Sequence, residues 1–348
     1  MGHSFWDRLT PKRNKPPVVP PPPAVTLTAG PLTPIRVTLN DIAINRGYSY
    51  YSQSWLSPDG IIKAFCGIVG KRPQFFSVAL DNKITELGAL IPHDGEAEGW
   101  YFDANGDVYL CHGPRLKRIN ITTGVETVVL DISETRPGHD LWQAHSSEDG
   151  QTHSATVRQI VDNGQYPKIG TIVQRLGTQS FYPATGTLDE SQITADGSYL
   201  IIKETDEQDR LYNLVKSLVG EADYPLNPGE AIGHSDCGLN FVVGEDSAVG
   251  QCIRFNPRNR ERQRLFDTWN LGHVSVRGRR ILHTGDESMR LVNTETGNVT
   301  PLVPHGMAGT GYDYQVHANL DPSGRVAAWV SNQAGQMDLY VMRLPALE

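Results

Sequence analysis

Four of the eleven histidines fall at matching places in this 348-residue chain. His145, His234, His273 and His317 each lie four to seven residues ahead of a short turn ending in glycine. Neutral imidazole nitrogens suit Mn, Fe, Ni or Zn, and three inward side chains meeting on one axis satisfy such an ion. The same residues would also suit a polar channel filled with water and cross-strand hydrogen bonds. Gln315 sits two positions before His317 and would project to the same strand face. His145, His273, Gln315 and His317 are therefore the candidate metal- or ligand-binding residues.

Such a set needs elements that bring distant positions to one axis, and a repeat supplies them. The turns are SPDG to Gly60, DANG to Gly106, SEDG to Gly150, TADG to Gly197, SDCG to Gly238, VRG to Gly278 and DPSG to Gly324. The steps between glycines are 46, 44, 47, 41, 40 and 46 residues. Asp or Ser bonds nearby backbone in a tight turn, and Gly accepts positive φ there. Each turn is followed by β-rich runs such as SYLIIK, GTIVQRL and VETVVLD. Seven copies of short, evenly spaced strands predict an all-β fold, a seven-bladed β-propeller of four-stranded blades over 34–348. The strand PIRVTLN (34–40) is expected to complete the last blade and close the ring. The first strand of each blade would line the channel, stacking Gln53 or Trp55, Trp100 or Tyr101, His145, Gln192, His234, His273 and His317 at one level.

Residues 1–33 stand outside the repeat. KPPVVPPPPAV reads as an extended polyproline II spacer. Ahead of it, Phe5, Trp6 and Leu9 would share one face of a helical turn, beside a basic cluster. The expectation is a Pro-rich docking arm that attaches the propeller to a larger protein assembly.

The repeats SWLSPDGIIKAF and HANLDPSGRVAAWVSNQAGQMDLYVMRL resemble those of Tol-system propellers. They are also similar to the closing blade of oligogalacturonate lyases, a family of seven-bladed propellers. That resemblance implies Mn held by Gln315, His317 and His273, with His234 as a candidate base for β-elimination on an acidic sugar. The family's second His, two residues after the first, is Asn319 in this chain.

Bulk properties narrow the classes. A net charge of −8 argues against nucleic acid as the main partner. No apolar run approaches the ~20 residues of a membrane helix, so no membrane partner is expected. The N-terminus has no apolar core of a secretory signal, and the expected location is cytoplasmic or virion-associated. Cys66, Cys111, Cys237 and Cys252 lack C-x-x-C spacing and are expected to be reduced thiols. Arg258, Arg260, Arg262 and Arg264 alternate and would share one strand face on the outer hairpin of blade 5. Acidic loops (Glu204, Asp206, Glu207, Asp209, Glu245, Asp246, Asp286, Glu287) gather on blades 4–6, against Lys71, Arg72, Arg115 and Lys117 on blades 1–2.

Two readings follow. The first is a non-enzymatic interaction or structural module, docked by its arm on an assembly such as a phage virion or tail, with a glycan or metal in the channel. The second is a Mn-dependent, oligogalacturonate-lyase-like polysaccharide lyase.

Overall fold

The computed structural model describes residues 32–38, 52–68, 71–88, 90–91, 99–161, 166–246, 248–267, 272–285, 288–308, 316–335 and 337–345. Gln315, the arm residues Phe5, Trp6 and Leu9, and the loop residues Asp286 and Glu287 lie outside them. Among the described residues, 28 strands form seven four-stranded antiparallel sheets.

Strand β1 (Ile35–Arg36) comes first in the chain and belongs to the last blade. Blade 1 holds β2 (Gln53–Leu56), β3 (Ile62–Ile68), β4 (Lys71–Val78) and β5 (Ile84–Gly88). Blade 2 holds β6 (Tyr101–Phe102), β7 (Asp107–His112), β8 (Arg115–Asn120) and β9 (Glu126–Asp131). Blade 3 holds β10 (His139–Ser146), β11 (Thr152–Gln159), β12 (Lys168–Arg175) and β13 (Thr178–Pro183). Blade 4 holds β14 (Thr187–Ile193), β15 (Tyr199–Thr205), β16 (Leu211–Ser217) and β17 (Tyr224–Leu226). Blade 5 holds β18 (Ile232–Cys237), β19 (Val242–Asp246), β20 (Gln251–Phe255) and β21 (Arg262–Asp267). Blade 6 holds β22 (His273–Arg277), β23 (Arg280–Thr284), β24 (Ser288–Asn293) and β25 (Val299–Pro304). Blade 7 holds β26 (Asn319–Leu320), β27 (Val326–Ser331), β28 (Asp338–Arg343) and, as its outermost member, β1.

The ring closes through β1, whose Ile35 and Arg36 face Val341 and Tyr340 of β28. Val37 N–H continues the pairing onto the Leu339 carbonyl, and Thr38 Oγ1 donates to Asp338 Oδ1 at 2.7 Å. Arg36 Nε lies 2.8 Å from Asp338 Oδ2, whose side chain is fully buried. First strands of neighbouring blades touch, β10 with β14, β14 with β18, β18 with β22, β22 with β26 and β26 with β2. They form the inner circle of the propeller.

Apolar clusters fill the junctions between blades. Phe65, Phe75, Trp100 and Phe102 join blades 1 and 2. Leu282, Met289, Leu320 and Trp329 join blades 6 and 7. Each such side chain contributes about 1.5–3 kcal/mol when fully buried. Blades 3 and 4 share the smallest set among the described residues, Val173, Leu188, Ile193, Leu200 and Ile202.

The turn signal has a specific cause. Ser57, Asp103, Ser147, Thr194 and Asp321 open the turns, and each carbonyl accepts from the N–H of a glycine three residues on. Those glycines, Gly60, Gly106, Gly150, Gly197 and Gly324, have φ between 64° and 83°. Gly238 departs from this pattern. It opens the blade 5 turn itself, pairing with Phe241, and has no positive φ. Blade 6 turns more tightly, with Arg277 directly opposite Arg280.

The four cysteines are free. The arginine run does not share one strand face, because Arg258 and Arg260 fall in the hairpin between β20 and β21. Arg258 pairs with Glu221, Arg262 with Asp246 and Arg264 with Asp267, while Arg260 covers the Tyr224 ring.

Candidate functional site

Counting from the residue that opens each turn sorts the inner strands into two levels. Two residues before it stand Trp55, Tyr101, His145, Gln192, Asp236, Ser275 and Asn319. Four residues before it stand Glu190, His234, His273 and His317 on blades 4–7. The sequence expectation of one level is corrected by this register. His145 and Gln192 lie nearer the turns, and His234, His273 and His317 lie nearer the opposite face, called the mouth. On blades 5 and 6 the difference traces to Gly238 and to the tight turn, which shorten the count to glycine, and on blade 7 to His317 standing seven residues before Gly324, against five for His145 before Gly150.

Cross-blade hydrogen bonds fix the lower level. Gln192 Nε2 donates to the Ser235 carbonyl at 2.9 Å. Asp236 Oδ2 accepts from Val276 N at 2.7 Å, and the Arg277 guanidinium lies 3.5 Å away. Ser275 Oγ accepts from Leu320 N at 3.0 Å. Asn319 Nδ2 donates to the carbonyls of Ser52 and His317, at 3.1 and 3.2 Å.

The upper level carries most of the chemistry. The rings of His273 and His317 meet edge to face with centroids 4.8 Å apart. His317 is 3% exposed. Burial drives the His317 pKa well below its ordinary value and that of His273 down to about 4, so both are neutral near pH 7. His145 is likewise held at about 4 by burial, against the opposing pull of Asp236. His234 differs. It sits in a bulge of β18 between Gly233 and Asp236 with φ of 40°, and its side chain is 65% exposed. Glu245 Oε2 lies 3.7 Å from its Nδ1, and burial raises the Glu245 pKa.

Two members were missed in the sequence. Lys203 on β15 is 2% exposed and ion-paired to Glu190, its partner across the β14–β15 ladder. Burial lowers its pKa to about 8. A bulge in β14 between Leu188 and Glu190 accompanies the pair, as bulges often do where side chains are re-aimed. The signal for Lys203 was a lysine inside the apolar run YLIIK. Asp236 was legible too, since it alternates with His234 in HSDCG.

The donor set bears on manganese. His273 and His317 supply two neutral imidazoles from adjacent blades. Asn319 is turned to backbone carbonyls, and His234 is paired outward to Glu245. Among the described residues no group of three or more His, Cys, Asp or Glu is placed to hold a metal ion. The described residues thus offer two donors, short of the three protein ligands that a catalytic ion takes.

The fold and its inner ring define a seven-bladed β-propeller. No family model matches the chain, and no curated protein matches it in sequence. In fold it is similar to an oligogalacturonate lyase from Vibrio parahaemolyticus, with a TM-score of 0.65 at 13% identity over 90% of this chain and 94% of that one. An oligogalacturonate lyase in complex with manganese gives 0.64 at 14% identity, over 90% and 97%. The Pan2 WD40 domain of Neurospora crassa gives 0.54 at 11% identity, over 87% and 91%. At these identities the likeness is one of fold.

Proposed function

We propose that this protein is a non-enzymatic propeller module that binds a glycan at the channel mouth and is docked by its N-terminal arm on a larger assembly, of the phage virion or tail type. The observation that carries the binding part is the polar upper level, where two neutral imidazoles, His273 and His317, meet across blades 6 and 7. Neutral imidazoles donate and accept hydrogen bonds to sugar hydroxyls. Asn319 supports binding without turnover, since its amide is committed to the Ser52 and His317 carbonyls.

A second reading is favoured by His234. Its exposed ring, backed by the Glu245 carboxylate, has the form of a base oriented by a third group. In that reading His234 removes the proton next to the uronate carboxylate and the glycosidic oxygen leaves, giving an unsaturated sugar. A divalent transition metal such as Mn would be held by His273 and His317 with Gln315, and would neutralise the carboxylate.

One preparation separates the readings. Oligogalacturonate and its neutral methyl ester are titrated by calorimetry with and without added Mn, while ultraviolet absorbance follows unsaturated products. The module reading expects binding without new absorbance, weakened roughly tenfold or more in the His273→Ala, His317→Ala double variant. New absorbance that disappears in His234→Ala would favour the lyase, and absence of binding to both oligogalacturonate and its neutral methyl ester would exclude both.

A further inference from the structure

The junction of blades 3 and 4 differs in kind from the others. His153 stacks on Tyr109 at 5.9 Å, and Ala155 and Val157 pack with Leu116 and Leu130, so these residues of β11 face blade 2. Ser154 and Thr156 alternate with them and face blade 4. The ladders place Trp142, Thr156, Thr171 and Tyr182 in one row across β10, β11, β12 and β13. Ser191 of β14 pairs with Ile202, which packs with Val173, so Ser191 looks back at blade 3.

Ser154, Thr156, Thr171 and Ser191 are all 0% exposed. Their hydroxyl oxygens have no hydrogen-bond partner among the described residues. Buried hydroxyls without partners are rare, and ordered water is the usual remedy. Ser54 and Ser235 are likewise buried without partners among the described residues, one each on blades 1 and 5, but at this junction such hydroxyls form a group. They run from the innermost strand of blade 4 through the second and third strands of blade 3. At the outer end Val173, Ser180 and Tyr182 line a groove of about 330 Å³ with Ser217 and Leu218 of blade 4. Trp142 and Tyr182 close the row at its inner and outer ends, so the hydroxyls of Thr156 and Thr171 are enclosed between two aromatic rings.

We propose that a cluster of bound waters occupies this junction, bridging the four hydroxyls of β11, β12 and β14 and so joining blade 3 to blade 4 by hydrogen bonds. The smallest apolar cluster of the ring lies here because hydroxyls and their waters take the place of packed methyl groups. This inference is independent of what the mouth binds.

Thr156→Val and Thr171→Val, alone and together, keep side-chain shape and remove the hydroxyls. Long-lived waters are counted by oxygen-17 relaxation dispersion, and stability is read from the thermal midpoint. The cluster predicts fewer long-lived waters in each variant and a midpoint lowered by ~1–4 °C per substitution. An unchanged water count overturns it, as does a raised midpoint, because a dry unpaired hydroxyl is improved by its removal. If the double variant does not fold, the single variants carry the test.

Discussion

At the scale of single residues, the interior of this propeller holds imidazoles that burial keeps neutral. His283 is the clearest case outside the mouth. It is 2% exposed, and neither ring nitrogen has a hydrogen-bond partner among the described residues. Phe266 meets its ring edge on at 5.1 Å, and burial, with Arg290 nearby, lowers its pKa from 6.5 to about 4. The folded protein therefore stays unprotonated at a pH where the unfolded chain takes up a proton. Stability is complete above pH 6.5 and is lost as the pH falls from there towards 4. The loss at this one residue amounts to about 3 kcal/mol once both states are protonated. His283→Leu is expected to shift the acid-unfolding midpoint to lower pH, measured by circular dichroism across pH 7 to 3. An unshifted midpoint would place the acid sensitivity elsewhere, His145 being the next candidate.

At the scale of elements, the turns were the most legible feature, because their chemistry is local. A hydroxyl or carboxylate opens five of the seven turns and binds the backbone beyond it, as Asp321 Oδ1 does with the N–H groups of Arg325 and Val326, both at 2.7 Å. The glycine three residues on then takes positive φ. That local grammar gave the blade count and the closing strand. It did not give the level of each inner residue, which depends on how far each hairpin extends. Gly238 carries the same letter as Gly324 and occupies a different place. Lys203 was hidden for another reason: its role depends on a bulge in the neighbouring strand, and bulges leave little mark on a single sequence. The turn glycines also differ among themselves. A Cβ on Gly106, at φ of 83°, would approach the Trp55 ring to 2.6 Å, whereas one on Gly113 would meet nothing within 4 Å. Gly106→Ala is expected to cost about 2–4 kcal/mol from strain and overpacking together, against about 1–2 for Gly113→Ala. Equal costs in urea unfolding would mean that the Trp55 ring yields freely.

At the scale of the whole molecule, the ring depends on a short clasp. Among the described residues of this segment only Ile35–Arg36 is strand, yet Val37, Thr38 and Asp338 add a backbone bond, a side-chain bond and the ion pair of a buried carboxylate with the partly exposed Arg36. Arg343 reinforces the same joint from β28 by donating to the carbonyls of Gly60 and Ala79 in blade 1. Truncation after residue 31 is expected to leave the thermal midpoint within ~1 °C while abolishing incorporation into any natural complex. Truncation after residue 38 removes the clasp and is expected to lower the midpoint by several degrees, since the buried Asp338 carboxylate loses its bonds to Arg36 and Thr38, at about 1–3 kcal/mol. Undiminished incorporation of the shorter truncation would remove the docking role from the arm.

The clasp has a mechanical consequence. The arm is covalently continuous with β1, the outermost strand of blade 7, so any tension on a tethered arm reaches the propeller first at that two-residue strand. A pull along the strand loads its bonds to Val341 and Tyr340 together, in shear, while a pull away from the rim would peel them one at a time. The direction of a pull on β1 therefore sets how much force the closed circle withstands.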